Sequence, residues 1–391
     1  MSATDPTLPF ERPGPLRPPP AYARLRADAP VARVVTPEGQ RAWLVTSYDD
    51  AVGVLTDTRF RLAPPGLEST GNDTLFQDGD SHTRLRRLVS KAFTPRAITA
   101  MRPHIERLAD EQVAAFAAAG PPADLVAGLA APLATQVIGD LLGVAIEERD
   151  RFETLVEVLS GDFTADEEAA AAAAQAWDDL TRYAADLVAA KRRVLGDDLL
   201  SALIGVRDAQ DGRLGDGELI GMVISIIAAG HQTSRNAISV GVIQLVTEDR
   251  LDGLADSPEL DAVVEEVLRR LAGLIAEPFP RWAHEKADLG GASIEPGDLV
   301  LVRLEAANHD PRRFADPDRF TPGRDSAGAH VSFGRGPHHC LGASLARIEL
   351  TAAFSALARR LPGLRLRGDV EDLVWVRGQT DAGPTAVPVT W

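Results

Sequence analysis

Short runs of strand-forming residues open the chain. The runs at 31–35 and 42–45 are rich in valine and other strand-forming residues, and a Pro-Glu-Gly sequence lies between them at 37–39. Such runs around a turn signal predict a β-hairpin. A helical spacing of apolar residues then begins near Tyr48.

Helical spacing dominates the centre of the chain. Apolar residues recur every three or four positions from 98 to 195, with breaks at 120–122 and near Gly143 and Gly161. A further run, 217–248, would form a helix of roughly 48 Å at the usual rise per residue. The remaining residues mix short strand patterns with loops. The sequence therefore predicts a mainly α fold with small β-sheets.

Composition favours one large globular protein. The 391 residues are 45% hydrophobic, and neither a repeat nor a clear linker divides them, so we expect a single domain over residues 1–391. One cysteine excludes an internal disulfide framework and favours the reducing cytoplasm. A net charge of −16 argues against nucleic-acid binding. Membrane insertion is not expected, since the N-terminus lacks a signal-peptide core and the longest apolar stretch, 219–229, is too short to span a bilayer.

The single cysteine, Cys340, lies in a glycine-rich run at 333–342, directly before a helical pattern. A lone cysteine is most often a small buried hydrophobe. Here, amide groups at a helix N-terminus would stabilise a thiolate, and the glycines would let the backbone approach a flat ligand closely. These surroundings favour a thiolate ligand of a haem iron.

The run at 333–342 resembles the cysteine-ligand loop of the cytochrome P-450 family. It matches the pattern Phe-Gly-x-Gly-x-His-x-Cys-x-Gly at every fixed position. The resemblance implies the single-domain cytochrome P-450 fold, haem b as the cofactor and Cys340 as the iron ligand. It also implies cofactor contacts from Phe333, His338 and Gly342, and a monooxygenase that uses dioxygen and two electrons to oxidise a small organic substrate.

Haem carries two propionates, so its site should supply cations or hydrogen-bond donors from several elements. His82 and Arg86 are four residues apart and share one face of a helix. Spacing alone fits a solvated, arginine-rich face equally well, but the resemblance implies that this pair contacts a propionate. It implies the same role for Arg281 and for His338.

An acid and an arginine, Glu266 and Arg269, lie three residues apart on a predicted helix. Such pairs are usually exposed and contribute little to stability. The resemblance instead implies a buried structural network around the haem-binding core. Arg319 is the residue expected to complete it.

Small residues followed by a hydroxyl mark the centre of the long helical run, at Ala229, Gly230 and Thr233. They resemble the family's oxygen-binding segment, in which a widened turn makes room for dioxygen and the threonine relays protons. Without the resemblance, a mid-helix threonine would be expected to bond back to a carbonyl. Gln232 replaces the family's usual acid, and an amide cannot cycle a proton as a carboxylate does. The neighbouring His231 would titrate near neutral pH if unperturbed.

Thr233 and Gln232 are therefore the predicted catalytic residues, and other positions are predicted to line the substrate pocket. Leu274 and Glu277 resemble a pocket-lining segment, and Phe76 belongs to a loop that would cover the pocket, beside Ala229 and Gly230. If Glu277 faces inward, it favours a substrate with a basic nitrogen or several N–H donors, because an unpaired buried carboxylate is costly. The alternative is a solvated Glu277.

The reaction requires an electron source, for which the resemblance suggests ferredoxin and ferredoxin reductase. Arg84, Arg87 and Lys91 fall roughly opposite His82 on their helix. Together with Arg335 they are predicted to form a basic docking patch for an acidic ferredoxin.

Natural-product tailoring is the commonest role of the bacterial members. The replacement at Gln232 leaves oxidative C–C or C–N coupling and peroxide-driven oxidation open as alternatives. A haem sensor or carrier is the alternative outside the enzyme class.

Overall fold

Helices are the main secondary structure in this computed structural model, which describes residues 5–67, 75–145, 148–158, 167–208, 215–274, 277–377 and 382–391. None of the helices in these ranges is both long and apolar enough to cross a membrane. The helices are Pro20–Asp28 (α1), Tyr48–Thr56 (α2), Gly79–Ala92 (α3), Pro95–Ala119 (α4), Ala131–Leu142 (α5), Arg149–Val158 (α6), Glu167–Arg193 (α7), Leu199–Asp208 (α8), Asp216–Thr247 (α9), Leu260–Leu271 (α10), Leu304–Asn308 (α11) and Ala343–Arg360 (α12).

Short strands form small sheets around the helices. The strands are Val31–Val35 (β1), Arg41–Val45 (β2), Phe60–Arg61 (β3), Ala123–Asp124 (β4), Arg281–Ala283 (β5), Ala287–Leu289 (β6), Ala292–Ile294 (β7), Leu299–Val302 (β8), Arg365–Leu366 (β9), Trp375–Arg377 (β10), Ala382–Pro384 (β11) and Pro388–Thr390 (β12). The largest sheet in the described residues has five strands in the order β1-β2-β8-β5-β3, with β2 and β8 parallel and the other pairs antiparallel.

The predicted hairpin and the helix after it are both confirmed. Val31 pairs with Val45 across β1 and β2. Helix α2 begins at Tyr48 because the Ser47 side chain accepts a hydrogen bond from the Asp50 amide and caps the first turn. The long run predicted at 217–248 is α9, within one residue at each end.

The predicted helix breaks follow from backbone geometry. Gly143 ends α5 in the left-handed conformation, with φ of 67°, which glycine adopts at little cost. Gly120 ends α4 with φ of 76°. The break expected near Gly161 lies outside the described residues.

The main hydrophobic core lies between α4, α5, α9, α10 and α12. Its fully buried side chains come from every one of these helices, and they include Ile105, Leu133, Ile238, Val267 and Leu357. Burial of these apolar faces is the main force that holds the helices together. It places the N-terminal end of α12, which follows Cys340, against the same core as α9.

The loop that leads to Cys340 rests on α2. Gly336 has φ of 70°, and a Cβ atom there would lie 2.5 Å from the Leu55 carbonyl oxygen. Only glycine can occupy this position, because both the backbone conformation and the contact exclude a side chain. At Gly336 the close neighbour is therefore protein backbone, and not the flat ligand expected for the glycines of this run.

The buried carboxylate of Glu266 lies at the centre of an ion-pair network. Arg269 is buried beside it, and its Nε and Nη2 atoms lie 2.9 Å from the two carboxylate oxygens. The Thr321 amide donates a further hydrogen bond to Glu266 at 2.9 Å. A buried charge needs such complete pairing to offset its loss of hydration. The structure thus brings together the predicted pair, Glu266 and Arg269.

The second arginine of the network is Arg324, and the prediction for Arg319 is wrong. The Nε atom of Arg324 lies 3.1 and 3.2 Å from the two oxygens of Glu266. The Arg319 side chain is exposed, and its carbonyl accepts a hydrogen bond from Arg324 Nη2. The loop folds back around Arg324, whose Nη2 also donates to the Asp316 carbonyl at 2.9 Å.

Asn308 links this network to the cysteine loop. Arg269 Nη1 donates to the Asn308 carbonyl at 2.7 Å, and Asn308 Nδ2 donates to the Arg269 carbonyl at 3.0 Å. The Asn308 amide group also accepts from the Val331 amide at 2.8 Å and donates to Ser332 Oγ at 2.9 Å. The buried ions therefore position the chain that continues to Cys340.

We expect Arg324→Ala to lower the free energy of unfolding by roughly 1.5–3 kcal/mol, because it removes hydrogen bonds to a buried charged group. Arg319→Ala is the matched control from the same loop, and an exposed side chain of this kind should change stability by less than about 0.5 kcal/mol. Urea unfolding of both variants measures the difference. Equal destabilisation by the two changes would contradict the role given to Arg324.

Candidate active site

The Cys340 sulfur lies at the N-terminal end of α12. The Cys340 amide donates to the Phe333 carbonyl at 2.8 Å, and the Gly342 amide bonds to the sulfur. The residue is exposed on one side, yet atoms packed around the sulfur raise the pKa of the thiol by desolvation. The Gly342 amide and the guanidinium groups of Arg86 and Arg347 act in the opposite direction. These groups favour the thiolate, which is the form that binds a metal.

Three of the four predicted propionate contacts line one cavity. This cavity of about 250 Å³ contains His82, Arg281 and His338 in its wall. The His82 and His338 rings stack with 4.2 Å between their centroids. The Nε2 atom of His82 is buried and has no hydrogen-bond partner among the described residues. The fourth residue, Arg86, donates from Nη2 to the His339 carbonyl in the cysteine loop.

An acid that the sequence analysis missed belongs to the same cavity. Asp78 Oδ1 lies 2.8 Å from His338 Nε2, and its Oδ2 accepts from the Leu62 amide at 2.6 Å. Burial acts against ionisation, but these hydrogen bonds outweigh it and lower the pKa of Asp78. The sequence could have indicated Asp78 by its position four residues before His82, because residues at that spacing lie close together near the start of a helix.

The segment around Thr233 lies in regular helix. The Thr233 hydroxyl donates to the Ala229 carbonyl at 2.6 Å, which is the back-bonding expected of a mid-helix threonine. Helix α9 is continuous from Asp216 to Thr247, through the segment where the resemblance implies a widened turn. Gly230 packs closely on α5, where a Cβ atom would lie 2.3 Å from Ile138 Cδ1. With its proton bound to the carbonyl, the Thr233 oxygen can accept a hydrogen bond from a molecule in the site.

The two residues before Thr233, His231 and Gln232, are both uncharged at pH 7. Burial and the positive charge of Arg235 lower the pKa of His231 to about 4, so this buried imidazole is neutral at pH 7 and does not titrate there. The Gln232 Oε1 atom is buried and has no hydrogen-bond partner within the described residues. A buried acceptor without a hydrogen bond lowers the stability of a protein. This cost would be removed if a bound molecule donated a hydrogen bond to Gln232.

A buried acid lies next to the residue that follows Thr233. Glu349, on α12, is hydrogen-bonded to Ser234 on α9, and both are buried. Burial raises the pKa of Glu349 to about 8, while the Ser234 hydrogen bond acts in the opposite direction. Glu349 is therefore mostly protonated at pH 7. The sequence signal was an acid among apolar residues, at the spacing of the buried face of α12.

Two aromatic residues mark the expected substrate side. Phe76 and Phe279 pack edge to face with 5.2 Å between ring centroids, although 46% and 43% of their surfaces stay exposed. Ala229 is also exposed. Leu274, by contrast, is packed in the main core, and its carbonyl accepts from the Ala382 amide at 2.7 Å. Phe76 and Ala229 are therefore accessible to solvent, whereas Leu274 is not.

Glu277 adopts neither of the two arrangements considered from the sequence. Its Oε2 atom accepts from the Leu304 amide at 2.9 Å, at the first residue of α11. Burial raises the pKa of Glu277 to about 7, against the opposing charge of Arg303. The carboxylate thus binds protein backbone, and the structure does not support a substrate-facing Glu277.

The predicted docking patch needs one correction. Arg84 forms an ion pair with Glu218 on α9, so its charge is matched within the protein. Arg87 and Arg335 are exposed. The Lys91 side chain lies outside the described part of the structure.

The donor set fits an iron porphyrin. Cys340 offers a thiol at a helix start, and the orphaned His82 Nε2 and the buried Arg281 guanidinium offer donors for carboxylates in the adjoining cavity. One soft ligand beside a set of anion-binding groups matches the donor set that a haem-thiolate site requires.

Comparison with known proteins gives the same class. The family model named Cytochrome P450 matches residues 242–361. The chain is 40% identical to mycinamicin IV hydroxylase/epoxidase of Micromonospora griseorubida, over 95% of this chain and 94% of that protein. It is 39% identical to nocardicin C N-oxygenase of Nocardia uniformis subsp. tsuyamanensis, with 100% of both chains covered.

A solved structure extends the similarity to the whole fold. It is the LnmA cytochrome P450 hydroxylase from the leinamycin biosynthetic pathway of Streptomyces atroolivaceus S-140, with a TM-score of 0.89 and 39% identity over 99% of this chain and 100% of that one. The chain belongs to the cytochrome P450 family, and it is a haem monooxygenase. The predicted fold class is confirmed, and enzyme relatives agree with a catalyst rather than with a haem sensor or carrier.

We expect the stability of the protein to depend on pH through Glu349. The unfolded carboxyl releases its proton near pH 4.3, whereas the folded one keeps it to about pH 8. The unfolded state thus binds fewer protons in this window, and the free energy of unfolding falls as pH rises through it. Glu349→Gln should remove this loss, so the variant should gain stability relative to the unsubstituted protein towards pH 8.

Urea unfolding at several pH values measures this effect. Glu111→Gln makes the same chemical change at an exposed site on α4 and serves as the control for net charge. If the difference between Glu349→Gln and the unsubstituted protein is the same at pH 5 and pH 8, Glu349 is not a buried neutral acid.

Proposed function

We propose that Cys340 is the proximal ligand of haem b, with His82, Arg281 and His338 holding a propionate. The observation that carries this proposal is the sulfur at the start of α12. It accepts a hydrogen bond from the Gly342 amide, and the positive charges of Arg86 and Arg347 favour its thiolate form. Phe333 and Gly342 contribute the backbone around the ligand, and Arg86 ties α3 to the same loop. When bound, haem supplies the iron chemistry that activates dioxygen, and thiolate donation favours O–O cleavage.

The substrate we propose is a small organic molecule in bacterial natural-product tailoring. The names of the similar enzymes, which include a hydroxylase/epoxidase and an N-oxygenase, support this role. The exposed Phe76–Phe279 pair supports an apolar contact surface for such a molecule. The single cysteine still favours a cytoplasmic location.

Thr233 and Gln232 would have to relay protons to the site without a carboxylate at position 232. Thr233 can accept a hydrogen bond, since its proton is donated to the Ala229 carbonyl. Gln232 can orient water through its unpaired Oε1 but cannot supply a carboxyl proton. This amide favours a second candidate function, in which the same haem carries out oxidative C–C or C–N coupling.

Electrons would come from a ferredoxin and its reductase. Arg87 and Arg335 are exposed cations on α3 and on the cysteine loop of a chain with net charge −16. A local basic surface on an acidic protein steers an acidic partner to one face. Arg84 is not needed for this surface, because Glu218 pairs with it.

The ligand assignment predicts a thiolate spectrum. Reduced protein under carbon monoxide should show the red-shifted Soret band of thiolate-ligated haem, and Cys340→Ser should lose it, because no other cysteine exists in the chain. His339→Ala, at the neighbouring exposed residue, should keep the band. An imidazole-type spectrum in the folded, unsubstituted protein would refute the assignment.

The arrangement of Gln232 and Thr233 predicts a contrast between two variants. If Thr233 relays protons for an oxygenation, Gln232→Glu should form at least as much product per electron as the unsubstituted enzyme, and Thr233→Ala should divert electrons to peroxide. If coupling is the native reaction, Gln232→Glu should instead shift products towards hydroxylation. Product, peroxide and electron consumption are measured for all three proteins. Identical coupling and products would show that this segment does not control the chemistry.

A further inference from the structure

The side chains of Arg347, His330 and His339 enclose the Phe333 ring. The Arg347 guanidinium lies over its face, 4.6 Å from the ring centroid. The rings of His330 and His339 lie at 6.0 and 6.5 Å from it. The carbonyl of Phe333 accepts the hydrogen bond from the Cys340 amide at 2.8 Å. Movement of this residue therefore moves the backbone that carries the sulfur.

Arg347 is held in its place above the ring by Glu265. Its Nε and Nη2 atoms lie 2.5 and 3.0 Å from the two oxygens of that carboxylate, and its Nη1 donates to the Ala343 carbonyl at 3.1 Å. A two-point contact of this kind fixes the plane of the guanidinium as well as its position. The plane matters, because stacking on an aromatic face requires it.

Glu265 is itself held by His330. The Ser332 amide donates to His330 Nδ1 at 3.3 Å, so the ring proton is on Nε2, which donates to Glu265 at 3.1 Å. Burial opposes ionisation of Glu265, but the hydrogen bonds from His330 and Arg347 outweigh it and lower the pKa to about 2. The carboxylate is thus charged at every pH at which the protein would work.

We propose that Arg347 is a positioning residue for the cysteine loop. Clamped by Glu265, its guanidinium presses on the Phe333 ring and, through the Phe333 carbonyl and Cys340 amide, fixes the sulfur at the start of α12. It also places a positive charge close enough to act on that sulfur. This inference rests on the proposed ligand role of Cys340.

The two effects of Arg347 can be separated by substitution. Lysine keeps the charge but has neither the two-point contact nor the flat face, and methionine loses all three. Arg360 is a matched control, because it lies on the same helix and pairs through Nε with a carboxylate, Asp110, at 2.8 Å. Glu265→Gln keeps Arg347 but weakens the clamp that fixes its plane.

The experiment follows the thiolate band of the reduced carbon monoxide complex during mild heating, and the reduction potential of the ferric protein. We expect Arg347→Met to lose the thiolate band about tenfold faster, by analogy with the roughly 10–100-fold loss of metal affinity that follows removal of a supporting contact of a metal ligand. Its reduction potential should fall, because a nearby positive charge that favours the reduced iron is gone. Arg347→Lys should recover the potential but not the stability of the band. Glu265→Gln should lose the band at an intermediate rate, and Arg360→Met should match the unsubstituted protein.

The outcomes distinguish this inference from the proposed function. Full recovery of both properties by lysine would overturn the positioning role, since charge alone would then be sufficient. An unchanged band and potential in Arg347→Met would overturn it as well. If the unsubstituted protein itself lacks the thiolate band, the ligand assignment fails, and the inference fails with it.

Discussion

The pairing of one buried carboxylate with two guanidinium groups is the interaction on which the cysteine-loop side of the protein depends. Glu266 would be strongly destabilising alone, because an ion loses its hydration when it is buried. Arg269 and Arg324 compensate it, and they come from α10 and from the loop after α11. Since Asn308 bonds both to Arg269 and to the chain before the cysteine loop, the same contacts decide where Cys340 lies.

Local sequence patterns were sufficient to predict those parts of the structure that depend on residues close together in the chain. The hairpin, the start of α2 and the helix after Cys340 depend on turn residues, a serine cap and apolar spacing, all within a few positions. The sequence motif also located the cysteine at a helix start. Each of these features is encoded by residues that touch within one turn or one strand pair.

Contacts between residues far apart in the chain could not be predicted from such local patterns. Arg319 and Arg324 lie in one loop, and only the folded chain shows that Arg324 reaches Glu266. Glu277 was assigned to the pocket by resemblance, yet its carboxylate is bound by the backbone of α11. Nothing in the local spacing around Glu349 indicates that Ser234, on another helix, is its partner. Long-range pairing, rather than secondary structure, is what the sequence left undetermined.

The Phe76–Phe279 pair has a consequence for how enzymes of this kind diversify. Both rings lie on segments outside the ion-pair network, with much of their surface exposed, whereas the sulfur is tied to the network through several buried hydrogen bonds. Surface side chains of this kind are replaced at little cost to stability. Substitutions can therefore accumulate on the exposed aromatic side of the protein while the side that carries the cysteine loop is inherited unchanged.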